Sequence, residues 1–478
     1  VDALPEVERG RELYADRAWR DAFAALSQAH RQAPLTADDL ERLATAAYML
    51  GRLDEFYEAL EHAHRAHLNG GEALRAARCA FWVSVIFAQQ GEMAASDWFG
   101  RARRLVEREE GDCVERGYLL IPAMWERKGQ GDLDGAIATA AEAARIGERF
   151  GDPDLVALAL HLQGYLMVIN GELREGLALV DEALLSVSTG ELSPILSGIV
   201  YGGGILAFRA AYELRRAGEW TAAFVKWCDE QPDMVAFTGQ CLVYRTKILQ
   251  LRGAWAEALA EARRAGERCI QVNNLLAAGE ASYLEGEAHR LLGDFAAAED
   301  AYRQAGQLGR GGVEDGVALL RLAQGDTAAA VTVIRRALAE RTERSKRAGF
   351  LPTVVEIMLA AGEAEEARVA CDELDEIAAA YDAEMLNATA AQARGALLLV
   401  QGDAERALVA LRRAARGWQD LDEPYEAARA RALVARACRD LGDSEAAEME
   451  LRTAREELTT LGAVPALAAI DALDAPAA

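Results

Sequence analysis

A 40-residue period governs this sequence. A Gly followed by an acidic or polar residue, with Ala five positions after the Gly, recurs at Gly131 to Ala136, Gly293 to Ala298, Gly402 to Ala407 and Gly442 to Ala447. Weaker copies start at Gly51, Gly91, Gly171, Gly218, Gly253, Gly325 and Gly362, and a degenerate copy surrounds Trp19 and Ala22. Successive glycines lie 40, 40, 40, 47, 35, 40, 32, 37, 40 and 40 residues apart, so the unit is used about twelve times. Each copy has the same local logic. The Gly turns the chain with positive φ at the end of one helix, the next residue caps the following helix, and a small residue five positions on lets two helices approach closely. Among the Gly-led copies only Phe56 breaks the small-residue rule. Between turns the apolar residues keep helical spacing, as in Leu155, Leu158, Ala159, Leu162, Leu166 and Ile169. The unit is therefore a helical hairpin, and a row of hairpins is an all-α solenoid.

Composition supports helices over strands: aromatics are 6% of the 478 residues, prolines number 10, and 51% hydrophobic content suffices for a large core. The spacing predicts one continuous solenoid over 1–478, with 186–218 and 305–316 as the places where it would subdivide. Acidic residues outnumber basic ones 77 to 52, and the net charge of −25 repels phosphate backbones and anionic membrane surfaces. The one basic run, Arg335, Arg336, Arg341, Arg344, Lys346 and Arg347, reads as a solvated helix face. Neither direct nucleic-acid binding nor a membrane partner is expected. No apolar run approaches the length of a membrane span, and no signal peptide is evident. The seven cysteines are scattered without a CxxC pair, the usage of reduced thiols. These features predict a soluble, cytoplasmic chain.

Little in the sequence points to chemistry. His62, His64 and His67 form a His-x-His-x-x-His run in which residues 64 and 67 share a helix face while 62 points away, and a metal would need further ligands. There is no Gly-x-Ser-x-Gly elbow, no His-Glu-x-x-His and no Cys–His pair suited to nucleophilic catalysis. The expectation is a non-enzyme with no cofactor and no metal. Three consecutive glycines, Gly202 to Gly204, interrupt an otherwise helical stretch at roughly 1 kcal/mol each relative to Ala. Close approach of a ligand and close helix packing both account for them, and packing is the commoner reason.

The Leu/Ala-Gly-Asp/Glu-x-x-x-Ala signature resembles a tetratricopeptide repeat (TPR) with helices longer than the usual form. More specifically, Ala46 to Glu55, Gly190 to Pro194, Glu219 to Thr221, Trp227-Cys228-Asp229-Glu230-Gln231-Pro232 and Leu249 to Gly253 resemble the repeat region of large LuxR-type bacterial transcriptional regulators. The nucleotide-binding phosphate loop and C-terminal helix-turn-helix typical of that family are absent from this sequence. The resemblance implies a superhelix whose concave groove takes a small-molecule effector or a peptide or protein partner. It implies the sensory arm of such a regulator, in which binding changes curvature or self-association and a homo-oligomer is open. A stand-alone adaptor holding a peptide in its groove is the alternative.

In TPR arrays the first helix of each hairpin lines the concave face, with residues six and three before the turn Gly pointing inward. Applied here, the phase predicts a binding surface of Trp125, Lys128, Tyr165, Tyr212, Arg215, Lys247, Gln250, Glu287 and Arg290. Flat aromatic faces beside cations suit an aromatic or anionic ligand, or a segment in which acidic and apolar residues alternate.

Overall fold

The computed structural model describes residues 4–89, 94–231, 233–341 and 344–474, and every regular element in it is a helix. Cα packing divides the chain into two compact units. The first ten helices belong to unit 1: α1 Leu4–Ala15, α2 Trp19–Gln32, α3 Ala37–Met49, α4 Leu53–Asn69, α5 Ala73–Gln89, α6 Ala94–Glu107, α7 Glu115–Gly129, α8 Leu133–Phe150, α9 Pro153–Asn170 and α10 Leu173–Ser188. Four helices contribute residues to both units: α11 Pro194–Ala210, α12 Leu214–Asp229, α13 Thr238–Leu251 and α14 Trp255–Gln271. Unit 2 continues with α15 Leu275–Leu292, α16 Phe295–Gln307, α17 Glu314–Ala323, α18 Thr327–Glu340, α19 Arg344–Ala360, α20 Ala364–Tyr381, α21 Glu384–Val400, α22 Ala404–Asp420, α23 Pro424–Asp440, α24 Ser444–Leu461 and α25 Val464–Asp474. Consecutive helices pack as pairs, and odd-numbered helices also touch the next odd-numbered one, as α5 touches α7 and α19 touches α21. The protein is an all-α, TPR-like solenoid of helical hairpins.

The turn chemistry explains the pairing. The first helix of a pair ends in a left-handed residue, and the next backbone N–H returns to a carbonyl five residues back, as in Asp132 to Arg127 (3.0 Å), Asp403 to Leu398 (3.0 Å) and Asp443 to Cys438 (2.9 Å). The aspartate then caps the second helix: Asp132, Asp294, Asp326, Asp403 and Asp443 each accept from the N–H three residues on. The fifth residue after the turn is buried between the helices, with Ala136, Ala258, Ala298, Ala330, Ala367 and Ala407 all at zero exposure.

One repeat is registered differently from the spacing argument. Gly218 lies inside α12, and the turn falls at Tyr212, with φ of 61°. Glu213 N–H donates to the Phe208 carbonyl (2.9 Å), the bond made at every Gly turn, and Ala217, five residues on, is buried at 1% exposure. A tyrosine takes the place of glycine at a conformational cost of roughly 1–2 kcal/mol. Its ring meets Tyr381 edge-on, with centroids 6.1 Å apart. Tyr212 is thus 41 residues from both Gly171 and Gly253, and the 47- and 35-residue steps vanish. The degenerate first copy likewise turns at Arg17, with φ of 57°.

Gly202 to Gly204 sit within continuous helix, so packing is their role. A Cβ on Gly203 would lie 2.6 Å from the His161 ring, and one on Gly204 would lie 2.7 Å from Leu184 Cδ1. Burial holds the His161 imidazole down at about 4, so the ring packs in its neutral form while contacting the Ala157 carbonyl (3.1 Å).

Each unit also closes on its own beginning. In unit 1 the indole N–H of Trp19 donates to Gln231 Oε1 (3.0 Å), Gln231 Nε2 donates to the Trp227 carbonyl (3.0 Å), and Val235 N–H donates to the Met49 carbonyl (2.8 Å). Trp227 to Gln231 therefore serve as a latch on the N-terminal hairpin; Pro232 lies outside the described residues. In unit 2 Trp255, at the start of α14, packs with Ala428, Ala432, Leu451, Leu458 and Ile470 from the last three helices.

These placements predict opposite outcomes at two glycines. Gly203→Ala should lower stability by about 1–3 kcal/mol through overpacking against His161. Gly218→Ala has helical geometry and open space, the nearest atom being 3.8 Å from the added Cβ, and should raise stability by roughly 0.5–1 kcal/mol. Urea unfolding of both variants checks the register, since a turn at Gly218 would make the second change destabilising too.

Candidate functional site

Each unit contains a cavity lined mainly by its odd-numbered helices. The cavity of unit 1 is about 640 Å³, with Tyr14 from α1, Glu41, Arg42 and Thr45 from α3, Arg75, Arg78, Cys79 and Trp82 from α5, Glu115 from α7 and Asp154 from α9 among its walls. Its charges are mutually tied. Arg42 of the wall donates to Asp39 (2.9 Å), which is 1% exposed and also accepts from Arg11 (2.8 Å), and those cations outweigh burial to hold the Asp39 carboxyl below the usual range. Arg78 reaches Glu115 (2.8 Å) and Asp152 (3.4 Å), and Tyr118 donates to Asp152 (3.0 Å). Asp154 is pushed upward by burial although Ser193 N–H donates to it (2.9 Å).

The cavity of unit 2 is about 630 Å³ and more apolar, with Leu319, Leu322, Leu433, Pro465 and Ile470 set against Arg290, Glu356, Tyr425 and Arg429. Glu287 is gripped by Arg290 (2.6 Å) and by the Tyr302 hydroxyl, and the Arg290 charge with these hydrogen bonds and the Lys247 charge overcomes desolvation to hold this carboxyl low. Arg429 pairs with Glu356 (2.8 Å) and Glu426 (3.1 Å), while Arg310 pairs with Glu280 (2.7 Å) and covers the Tyr283 ring at 3.5 Å.

The nine residues of the expected binding surface separate into three groups. Trp125, Lys128 and Tyr165 stay together at the C-terminal ends of α7 and α9, with the Lys128 ammonium 4.9 Å from the Trp125 ring and 5.5 Å from the Tyr165 ring. This is a cation between two aromatics, on a tryptophan 43% exposed. Lys247, Gln250, Glu287 and Arg290 gather in unit 2. Burial chiefly lowers the Lys247 ammonium, Arg209 adds to the shift, and Glu287, Glu280 and Glu423 oppose it. Gln250 is buried and donates to the Leu284 carbonyl, so it ties α13 to α15. Tyr212 and Arg215 form the third group, displaced from the inner row by the register at Tyr212. Tyr212 occupies the turn and Arg215 opens α12, 3.9 Å from Glu384. Counting from the actual turn places Leu206, 43% exposed, and Arg209 in the row instead.

Sequence reasoning missed the unit 1 cavity because it counted only the C-terminal end of each first helix. Glu41, Arg42, Arg75, Arg78 and Glu115 lie nine to sixteen residues before their turns, at the N-terminal ends. In the basic run Arg335, Arg341 and Arg347 pair with Glu366, Glu314 and Glu373, so these three do not offer an open cationic face. Among the described residues no helix is long and apolar enough to cross a membrane.

No protein-family model and no curated protein matches the chain. Among solved structures it is similar to the APC/C hetero-tetramer Cut9–Hcn1, at 12% identity and a TM-score of 0.40 with 95% of each chain covered. It is also similar to yeast Tom70, at 13% identity and a TM-score of 0.31 with 98% of this chain and 96% of that one covered. Neither likeness is close enough to transfer a partner.

The inner charges give unit 2 a pH signature. Burial, reinforced by Glu426 and Asp422 and opposed by Lys247, lifts the Glu423 carboxyl from 4.5 to about 8. Between those values the folded chain holds a proton that the unfolded chain releases, so this residue's contribution to stability is present below about pH 4.5 and is lost as pH rises toward 8. Glu423→Gln should remove about 3–5 kcal/mol of that decline. Urea midpoints of wild type and variant at pH 5 and pH 8.5 check it, the variant showing the flatter dependence.

Proposed function

We propose that this protein is a non-catalytic scaffold that holds a peptide segment of a partner protein on the inner faces of its helical hairpins. The observation that carries the reading is the unit 2 cavity, where leucines from α17 and α23 form an apolar wall beside the guanidinium groups of Arg290 and Arg429. Such a wall accepts apolar side chains of a segment whose intervening acidic residues compete with Glu287, Glu356 and Glu426 for the two guanidinium groups. The exposed Trp125 with Lys128 and Tyr165 supplies a second anchoring surface of the type that dominates binding energy. A role as the sensory arm of a LuxR-type regulator rests on the sequence resemblance alone, whereas the adaptor role needs only the surfaces just described and is the one we adopt. Seven buried cysteines with free thiols support a reducing, cytoplasmic setting.

The test is fluorescence anisotropy of the full chain with labelled synthetic peptides in which Leu or Phe alternates with Asp or Glu, beside matched peptides carrying Lys. The acidic series should bind at micromolar Kd and the Lys series much more weakly. Leu322→Glu should weaken binding at least tenfold, and Trp125→Ala by about 1–3 kcal/mol, with the melting temperature nearly unchanged in the latter. Tyr212→Ala, at the turn, should instead cost about 1–3 kcal/mol of stability. Absence of binding across the series, or binding indifferent to both Leu322→Glu and Trp125→Ala, refutes the proposal.

A further inference from the structure

His67 stands out from the histidine run. Its side chain is fully buried, with Nε2 2.6 Å from Glu41 Oε1 and Nδ1 2.6 Å from Glu72 Oε2. Cys79 Sγ lies 4.0 Å from the same Glu41 oxygen. The donor atoms of Glu41, His67 and Cys79 all fall within 4.8 Å of one another, although they come from three consecutive helices, α4 between α3 and α5. Glu41 and Cys79 both line the 640 Å³ cavity of unit 1. His64, the other buried member of the run, is engaged with the Ala76 carbonyl (2.8 Å), and His62 faces His30 with ring centroids 5.5 Å apart. The cluster is therefore assembled by the fold and not by the run's own spacing.

We propose that Glu41, His67 Nε2 and Cys79 Sγ bind a zinc-class divalent ion whose fourth coordination position opens into the unit 1 cavity. One oxygen, one imidazole nitrogen and one sulfur form a borderline-soft set that selects Zn²⁺ over Mg²⁺ or Ca²⁺. Three protein ligands beside a cavity leave room for water or for an anionic group of a bound molecule. Glu72 already occupies the supporting position, where it accepts from Nδ1–H and fixes the ring so that Nε2 faces the ion. Tetrahedral coordination sets ligand atoms about 3.3–3.6 Å apart, so the Glu41 oxygen must move less than about 1 Å away from Nε2, and Cys79 Sγ, within 4.8 Å of the other donors, must draw in by up to about 1 Å. Glu41 is 37% exposed and free to make that shift. Arg75, 3.2 Å from Glu41, also pairs with Asp38 and lies 3.7 Å from Glu72, so it keeps acidic partners when Glu41 turns to the ion. Binding displaces the thiol hydrogen of Cys79 and any hydrogen on His67 Nε2, and the ion's two positive charges replace theirs.

The experiment is a Co²⁺ titration of the full chain under a metal-free phosphine reductant, followed by absorption and then by displacement with Zn²⁺. One equivalent of Co²⁺ should produce the visible bands of a tetrahedral site together with a sulfur-to-cobalt charge-transfer band, and Zn²⁺ should erase both. Cys79→Ser and His67→Gln should abolish the charge-transfer band with helical circular dichroism retained, whereas Cys113→Ser should keep it. Glu72→Gln should weaken binding about 10–100-fold. Should Cys79→Ser or His67→Gln fail to fold, Glu41→Gln and Glu72→Gln, both altering partly exposed side chains, decide the matter by their loss of affinity. No charge-transfer band in the wild type, a band that persists in Cys79→Ser, or undiminished affinity in both glutamate variants overturns the proposal.

Discussion

The contact on which the rest depends is the one between two helices at the residue five positions after each left-handed turn. Where that residue is Ala or Gly, the second helix lies close against the first, as at Ala136, Ala298 and Ala407, each with no exposed surface. At Gly176 the approach is backbone to backbone: a Cβ there would lie 2.7 Å from the Gly164 carbonyl oxygen. The hairpin of α3 and α4 carries Phe56 instead and accommodates the ring against Tyr48, with centroids 5.3 Å apart. Turn, cap and close contact recur together because each removes a different obstacle to the hairpin: the reversal of the chain, the unpaired N–H groups, and the bulk between helices.

A hairpin of this kind buries one face and leaves another apolar face for its neighbour, so stacking is a consequence of the pairing. Closure of each unit is a separate device. Trp19, Gln231 and Trp227 fasten unit 1, and Trp255 with the last three helices fastens unit 2. In both cases a large aromatic, 0% or 2% exposed, is the fastening piece. Charges on the cavity walls are held in pairs, such as Arg290 with Glu287 and Arg78 with Glu115, which keeps the cavities polar without leaving these ions isolated. The cost of desolvating these groups is visible in Glu423, whose carboxyl is pushed to about 8.

The hairpin architecture was legible because its determinants are local: a turn, a cap and a small residue at fixed offsets. Arg290 was reached by the same counting and lines the cavity of unit 2. The register at Tyr212 was not legible, because a tyrosine in the left-handed region depends on its distant partner Tyr381, and Gly218 offered a false marker six residues later. Gly202 to Gly204 were ambiguous for a similar reason, since the side chains that need their space, His161 and Leu184, come from the preceding hairpin. The meeting of Glu41, His67 and Cys79 depends on how three helices stack, and a spacing rule applied within one helix cannot find it. What the sequence conceals in this fold is contact between repeats.

The central claim is that the 40-residue hairpin is the structural quantum, and deletion in the α20–α21 region tests it most directly. Removing 363–402 takes out one whole period between two equivalent turns, Gly362 and Gly402. Removing 363–382 takes out α20 and leaves α19 with no hairpin partner. Circular dichroism per residue and the sharpness of urea unfolding should remain close to wild type for the whole-period deletion and collapse for the half-period deletion. Equal helicity and cooperativity in the two deletions, or equal loss of both, would contradict the account.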